Sequence, residues 1–375
     1  MKVTLATGIF YPDVGGPAIH VRKIAEALVA SGAMVQVVTY GNSLEADSFP
    51  FLVHRVSRHY PKVLRGLIYW WRVLQSALGG DIVYAFDLTA AGLPAFIVAK
   101  ILRQKFVIRI GGDPIWERVV EHGLRFVSLR DYYAGRLYLE DRPGLFRLIK
   151  FILRHTDRVV LYNQMFKDFY IQYYAVAESK IIIIPNPIFF REQADSLLPL
   201  DPVILFAGRF VAYKNLPLVL RVFDSVREKL GRGRLILIGH GPDRADLERQ
   251  IAGLKSSARI QLLTSLPQEK LFELIRESAI AIGPALSEFN PNFILEALSF
   301  GKPVLLSRGH GLTISLPDAF VFNPQSEAEL AQKLENLLQP EIYKNAVSLI
   351  AALPKNQSWE KVTAGHLELL TMLPK

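Results

Sequence analysis

The first half of the chain alternates between short apolar runs and longer segments in which apolar residues recur at helical spacing. The short runs are rich in β-branched and aromatic residues, so they are predicted to be buried strands. The segments between them predict helices, and such strand–helix repeats indicate a parallel α/β sheet covered on both faces. The predicted strands are Lys2–Thr7, Val35–Thr39, Phe51–Val56, Asp81–Phe86, Phe106–Ile110, Arg158–Leu161 and Lys180–Ile184.

The pattern breaks after the Pro-Asn-Pro triplet at 185–187 and then starts again. The residues after the triplet are polar, contain proline and lack periodicity, which is typical of a linker. Further strands are predicted at Val203–Ala207, Arg234–Ile238, Ile260–Leu263, Ile280–Gly283 and Val304–Leu306. The expected organisation is a first domain, a linker, a second domain and a terminal helix, over residues 1–188, 189–201, 202–357 and 358–375.

Composition narrows the class of protein. The chain has 375 residues, no cysteine and a formal net charge of +9. Its length suits two domains, and the lack of cysteine excludes disulfides and thiolate metal sites, so a reducing cytoplasm is the expected location. No signal peptide and no membrane-spanning helix are expected. The basic excess lies mainly in the first half, without a nucleic-acid-binding motif, which favours an acidic acceptor or an anionic membrane surface as partner.

One stretch of the first half combines basic and aromatic residues. It has no acidic residue from Ser48 to Gly80, and residues 61–78 have helical periodicity. Its basic side chains are interleaved with Tyr60, Tyr69, Trp70 and Trp71. A basic amphipathic helix with tryptophan is typical of an interfacial membrane contact. The alternative is a surface helix whose tryptophans lie in the core of the first domain.

The segment from Pro284 to Ser307 carries the main candidate chemistry. It follows a predicted strand and consists of a loop, a helix and the next strand. A helix N-terminus at the carboxyl ends of parallel strands attracts a phosphate through its N–H groups and its dipole. Two carboxylates there can accept hydrogen bonds from vicinal sugar hydroxyls, although two solvated glutamates are the alternative. The candidate positions are Glu288, Asn290, Asn292, Phe293 and Glu296.

Two cations follow the first strand of the second half. Arg209 and Lys214 lie five residues apart in a loop that ends in a helix. Arginine is a planar two-pronged donor and lysine a point charge, so together they can neutralise a diphosphate without a metal. The chain has no Asp-x-Asp pair and no histidines at ligand spacing, so no metal site is predicted. The alternative is a pair of exposed cations.

The first half offers weaker candidates for a ligand site. Gly15 and Gly16 follow the first strand and would let the backbone approach a ligand, although the spacing of the dinucleotide-binding fingerprint is absent. Asp87 and Asp113 each follow a predicted strand, where doubly wound sheets hold ligand groups. His20 lies early in the next helix, and both a ligand role and a surface position stay open.

Five motifs occur along the chain in a fixed order. They are the Gly15-Gly16 pair, GRFVAYKN, GHGP, the glutamates of the Pro284–Ser307 segment with the trailing LEALSFGKPV, and the terminal SWE helix. Together they resemble the retaining glycosyltransferases of family 4, which have the GT-B fold. The resemblance implies two facing Rossmann-like domains with a cleft between them. It also implies that the terminal helix crosses back to the first domain.

The resemblance implies that a sugar moves from a UDP- or GDP-linked sugar to an acceptor hydroxyl. The anomeric configuration would be retained, and neither a metal nor a cofactor would be required. By position, the resemblance assigns the diphosphate to Arg209 and Lys214, and Glu288 would bind the donor sugar. Glu296 would bind the ribose. Additional contacts would come from Asn290, Asn292, Phe293, Gly15 and Gly16.

One position departs from the family pattern. Many members have a histidine directly after the strand equivalent to Phe106–Ile110, where this chain has Gly111. Asp113, two residues later, is the candidate for the missing contact with the transferred sugar. A sugar-nucleotide 2-epimerase and a non-catalytic sugar-nucleotide-binding subunit are alternatives. The expected acceptor is a glycan or a lipid-linked molecule of cell-envelope or exopolysaccharide assembly, with the protein in the cytoplasm and peripheral at the inner face of the membrane.

Overall fold

A computed structural model describes residues 1–13, 16–42, 48–187, 191, 194–354 and 358–373. The chain forms two compact units, each with its own sheet and core. The first unit contains residues 1–115, 136–187 and 358–375, and the second contains residues 116–135 and 188–357. The boundaries therefore differ from the prediction, because residues 116–135 leave the first domain and join the second unit. Within the described ranges, no helix is long and apolar enough to cross a bilayer.

The first unit is built on a seven-stranded sheet in which every pairing is parallel. The strand order β3-β2-β1-β4-β5-β6-β7 reverses between β1 and β4, as in doubly wound sheets. These strands confirm the seven predicted ones to within a few residues. They are β1 (Lys2–Ala6), β2 (Met34–Tyr40), β3 (Leu52–Val56), β4 (Ile82–Ala85), β5 (Lys105–Arg109), β6 (Arg158–Leu161) and β7 (Ile181–Ile183).

Helices connect the strands of the first unit and cover its sheet. They are α1 (Gly16–Ala30), α2 (Lys62–Ala77), α3 (Gly92–Ile101), α6 (Tyr138–Asp141), α7 (Pro143–Arg154), α8 (Gln164–Tyr174) and α15 (Trp359–Thr371). Although α15 ends the chain, it packs against α1, and its buried Val362 and Leu370 join the core of this unit. Ser358 caps α15 by accepting a hydrogen bond from the N–H of Lys361, as expected from the sequence.

The second unit has a six-stranded parallel sheet of order β10-β9-β8-β11-β12-β13. Its order also reverses once, between β8 and β11. The strands are β8 (Val203–Ala207), β9 (Arg234–Ile238), β10 (Ile260–Leu263), β11 (Ile280–Gly283), β12 (Val304–Ser307) and β13 (Val321–Phe322). The two residues of β13 were not predicted, because so short a run gives no periodic signal.

The helices of the second unit enclose one continuous apolar core with the sheet. They are α5 (Leu129–Ala134), α9 (Leu216–Leu230), α10 (Arg244–Ala252), α11 (Gln268–Glu277), α12 (Asn292–Ser299), α13 (Glu327–Leu337) and α14 (Pro340–Ala351). The remaining helix, α4 (Pro114–Glu121), runs across the boundary between the units. The fold is therefore α/β with two Rossmann-like sheets, as predicted.

Candidate functional site

The predicted residues of the second half lie around the point where the order of the second sheet reverses. β8 and β11 are neighbours there, and each continues into a loop at its carboxyl end. The loop after β8 carries Arg209 and Lys214, and the loop after β11 carries Glu288 and Asn290. Ligands of doubly wound sheets bind in the crevice at this reversal. The topology therefore brings two segments that are about 70 residues apart in the chain to one place.

An ion pair connects the two loops. The Lys214 ammonium contacts Oε1 of Glu288, and both side chains are largely buried, with 14% and 15% of their surfaces exposed. The N–H of Leu286 also donates to the carbonyl of Tyr213, over 2.8 Å. Burial alone lowers the pKa of Lys214, but the nearby Glu288 outweighs it and the pKa is raised. Lys214 is therefore held as a cation, and its alternative interpretation as an exposed charge is wrong.

Arg209 lies beside this pair. Its guanidinium donates to the Tyr213 hydroxyl over 2.9 Å and is 2.7 Å from Oε1 of Glu121. Half of the Arg209 side chain stays exposed. Burial raises the pKa of Tyr213 to about 12, so this phenol stays neutral near pH 7 and can accept from Arg209. Arg209 thus has a fixed position but keeps an open side toward solvent.

The α12 helix begins at Asn292, directly after the loop that carries Glu288. Pro291 precedes it, and no side chain caps its first turn. The first N–H groups of a helix have no partner inside the helix and form the positive end of its dipole. Asn290 donates its side-chain amide to Asn292 over 3.3 Å, and the Phe293 ring packs edge-on against Phe206. The start of α12 is therefore anchored in the core, and it carries the positive end of the helix dipole.

Glu296 lies one turn inside α12, with seven residues between it and Glu288. Burial raises its pKa to about 7, while Gln268 at 3.4 Å and the charge of Arg191 favour the ionised form less strongly. A half-protonated carboxyl near neutral pH can both donate to and accept from a hydroxyl group. The alternative that Glu288 and Glu296 are two solvated glutamates is therefore wrong for Glu296.

The GHGP loop supports the loop of Arg209. A Cβ atom on Gly239 would lie 1.8 Å from the carbonyl oxygen of Gly208, and one on Gly241 would lie 2.1 Å from that of Phe210. The N–H of Phe210 donates to the carbonyl of His240 over 2.8 Å. These glycines allow the two loops to touch through their backbones.

A segment without a recognisable motif also supports the site. Residues 116–135 belong to the second unit, where the Trp116 ring packs 5.2 Å from that of Tyr213. Glu121 pairs with Arg209, and the N–H of Leu129 donates to the Ser287 hydroxyl over 2.9 Å. The sequence assigned these residues to the first domain, because their short helices and mixed charges give no clear period that would separate them from it.

The first-unit candidates have other surroundings. Gly15 lies outside the described residues, and Gly16 begins α1. Asp113 is fully buried; its carboxylate accepts from the Tyr174 hydroxyl over 2.7 Å and from the N–H of Ile115 over 3.1 Å. This placement indicates that Asp113 organises the start of α4, and its contact with the transferred sugar stays a prediction. Asp87 likewise accepts from backbone N–H groups at the start of α3.

His20 has neither of the two positions considered for it. It is buried, and its ring packs edge-on against Trp359 of α15, with ring centres 4.8 Å apart. Burial and the charge of Arg109 hold the pKa of His20 well below its ordinary value. Arg109 is also buried and bonds Nε2 of His366 at 2.8 Å and Oδ1 of Asn186 at 2.6 Å. His20 and Arg109 therefore belong to the internal contacts that hold α15.

Comparison with known protein families assigns both halves of the chain. Residues 14–189 match the model described as Glycosyltransferase Family 4, and residues 190–355 match that of Glycosyl transferases group 1. Among curated proteins, the chain is 21% identical to the phosphatidylinositol N-acetylglucosaminyltransferase GPI3 subunit of Saccharomyces cerevisiae. That alignment covers 99% of this chain and 82% of the relative.

Two solved structures have the same architecture. Sucrose-phosphate synthase from Thermosynechococcus elongatus superimposes with a TM-score of 0.74 at 17% identity, over 99% of this chain and 98% of that one. HepE from Anabaena, crystallised with UDP-glucose, gives 0.74 at 16% identity over the whole of both chains. Identities this low show the fold alone. Together with the two family models, which follow one another along almost the whole sequence, they show that the chain belongs to the family 4 glycosyltransferases of the GT-B fold.

Proposed function

We propose that this protein transfers a sugar from a nucleotide diphosphate sugar, UDP- or GDP-linked, to an acceptor hydroxyl. The observation that carries the proposal is the buried Lys214–Glu288 pair, which lies between Arg209 and the loop that enters α12. A cation held in a largely buried site beside a helix N-terminus suits a diphosphate. The carboxylate next to it suits sugar hydroxyls.

Each group in the site has a separate role in this proposal. Arg209 and Lys214 bind the diphosphate, with the amides around Asn290, Asn292 and Phe293 at the start of α12. When the diphosphate binds, it replaces Glu288 as the partner of the Lys214 ammonium. Glu288 then turns toward the hydroxyls of the donor sugar. Glu296, whose pKa is about 7, binds the ribose hydroxyls. We also propose backbone contacts of Gly15 and Gly16 with the phosphates.

The reaction breaks the bond between the anomeric carbon and the diphosphate oxygen, and forms one between that carbon and the acceptor oxygen. Negative charge develops on the leaving diphosphate, so fixed cations and helix amides stabilise the transition state. None of the candidate carboxylates has a proposed role as a nucleophile. We therefore propose that the acceptor oxygen attacks the anomeric carbon from the face on which the diphosphate leaves. The acceptor proton then passes to the departing phosphate oxygen, and the anomeric configuration is retained.

The relatives support the class of donor. The structural neighbour HepE has been crystallised with UDP, glucose and UDP-glucose, and the yeast relative is named as a subunit of a phosphatidylinositol N-acetylglucosaminyltransferase. We propose a sugar nucleotide as donor and a glycan or lipid-linked acceptor, bound by the first unit. Neither a metal nor a cofactor is needed, because Arg209 and Lys214 supply the positive charge that a metal would provide.

The test is binding followed by turnover, both in EDTA. Thermal shifts with UDP, GDP and ADP identify the base, since a ligand selective for the native state raises the melting temperature. The matching sugar nucleotide is then incubated with a panel of acceptors, and the anomeric configuration of the product is determined by NMR. Retained product without added metal is the expected result. An epimer formed from the donor alone would support the epimerase, binding without turnover would support a non-catalytic subunit, and no binding would refute all three.

A further inference from the structure

Three helices of the first unit expose apolar side chains. On α2, Val63 is 80% exposed, and Leu67 and Trp71 follow it at intervals of one turn. On α3, Ile101 is 58% exposed, and on α7, Leu148 and Phe151 are exposed. Single exposed apolar residues are ordinary, but several on adjoining helices indicate a contact surface. The alternative that the α2 tryptophans lie in the core is wrong for Trp71, which is 52% exposed.

The three helices adjoin one another. α2 packs against α3, and the Phe96 ring of α3 lies 6.1 Å from that of Phe151 on α7. α2 is also held to the sheet, because the buried Tyr69 hydroxyl donates to the carbonyls of Thr7 and Val38. The exposed surfaces of α2, α3 and α7, which we call the docking face, therefore belong to a rigid part of the first unit.

The docking face has an excess of positive charge. None of the three helices contains an acidic residue. All three contain basic residues: Lys62, Arg65 and Arg72 on α2, Lys100 on α3, and Arg147, Lys150 and Arg154 on α7. Of these, Lys100 lies 3.9 Å from the carboxylate of Asp157, which follows α7. A surface that mixes apolar groups with an excess of cations is complementary to a layer of anionic headgroups above an apolar interior. A second copy of the same face would bring like charges together.

We propose that the docking face binds the surface of an anionic lipid bilayer. Val63, Trp71 and Phe151 enter the boundary between headgroups and acyl chains, and the basic side chains contact lipid phosphates. This inference deepens the proposed function. It rests on that function only for one consequence, which is that the acceptor is lipid-linked. Binding to the bilayer itself depends on the described residues of α2, α3 and α7 alone.

The experiment measures co-sedimentation of the full chain with vesicles of phosphatidylcholine alone, or of phosphatidylcholine with phosphatidylglycerol, over a salt series. Two double variants change the face: Val63→Glu with Trp71→Glu, and Arg147→Glu with Lys150→Glu. Their matched controls carry the same charge changes at exposed sites of the second unit: Leu200→Glu with Leu349→Glu, and Arg249→Glu with Lys255→Glu. We expect salt-sensitive binding to the anionic vesicles, about ten-fold weaker in both face variants and unchanged in both controls.

Other results would overturn the proposal. Equal losses in the controls would mean that total charge, not this face, governs binding. A loss confined to the α2 variant would limit the contact to one helix. If the protein self-associates without vesicles and Trp71→Glu abolishes that association, the occupant of the docking face would be a second copy of the chain. The UDP-induced thermal shift is measured on every variant, so a failed donor site and a failed docking face give separate results.

Discussion

At the scale of single residues, the site depends on charges that are held in a partly apolar setting. Lys214 keeps its positive charge because Glu288 compensates for burial. Glu296 has no comparable cation in direct contact, so burial raises its pKa to about 7. Two glutamates that look alike in the sequence therefore differ in chemistry, and the difference follows from their neighbours.

Replacing Lys214 by alanine removes the buried cation of the proposed diphosphate site. We expect kcat/KM for transfer to fall by about 100-fold, corresponding to about 3 kcal/mol of lost transition-state stabilisation. Lys229→Ala is the control, because Lys229 pairs with Glu335 on the surface of the same unit. Steady-state kinetics with the sugar nucleotide measures both variants. Near-normal turnover by Lys214→Ala would remove this residue from the site.

The raised pKa of Glu296 makes stability depend on pH with a definite sign. Between its ordinary pKa of 4.5 and about 7, the unfolded chain binds fewer protons at this residue than the native chain. The free energy of unfolding therefore decreases as pH rises through this window and levels off above it. Glu296→Gln should abolish this pH-dependent decrease, which is about 3 kcal/mol for a pKa raised from 4.5 to about 7. Urea denaturation from pH 4.5 to 8 measures it, and parallel curves for both proteins would contradict the assignment.

At the scale of elements, the site is formed by loops that approach one another through their backbones. The loop after β8 touches the GHGP loop at glycine positions where a side chain cannot fit. The loop after β12 similarly approaches the loop of Glu288, whose N–H lies 3.3 Å from the carbonyl of Gly309. The positions of Arg209 and Glu288 thus depend on residues that have no functional groups of their own.

Gly241→Ala tests this dependence. Its Cβ would lie 2.1 Å from the carbonyl oxygen of Phe210, so the loop that carries Arg209 must move. We expect the free energy of unfolding to fall by about 2 kcal/mol. The affinity for UDP should fall by a larger proportion than the free energy of unfolding. Gly253→Ala is the matched control, because its Cβ would have ordinary contact at 3.5 Å. Calorimetric titration with UDP measures affinity, and unchanged binding by Gly241→Ala would refute the coupling.

At the scale of the whole molecule, two separate apolar cores stabilise the chain. α15 contributes Leu370 to the first core, although it follows the second unit in the sequence. Leu330 of α13 is fully buried in the second core. Most residues proposed for the donor site belong to the second unit, so a bound nucleotide should stabilise that unit more than the first.

Differential scanning calorimetry with matched variants tests this separation. Leu370→Ala and Leu330→Ala each create a buried cavity and should cost about 3 kcal/mol. We expect the first to lower the transition of the first unit and the second to lower that of the second unit. UDP should raise the transition that Leu330→Ala affects more than it raises the other one. A larger nucleotide-induced shift of the other transition would contradict the assignment of most donor-site residues to the second unit.

The sequence by itself determined the α/β class and every strand except β13, because buried parallel strands have local patterns. It also singled out the glycine-rich loops, Arg209, Lys214 and both glutamates as candidates for the donor site. Only the tertiary structure decided that Lys214 pairs with Glu288, that Asp113 and His20 are buried, and that residues 116–135 pack on the second unit. These outcomes depend on contacts between residues far apart in the chain, and local periodicity carries no information about such contacts.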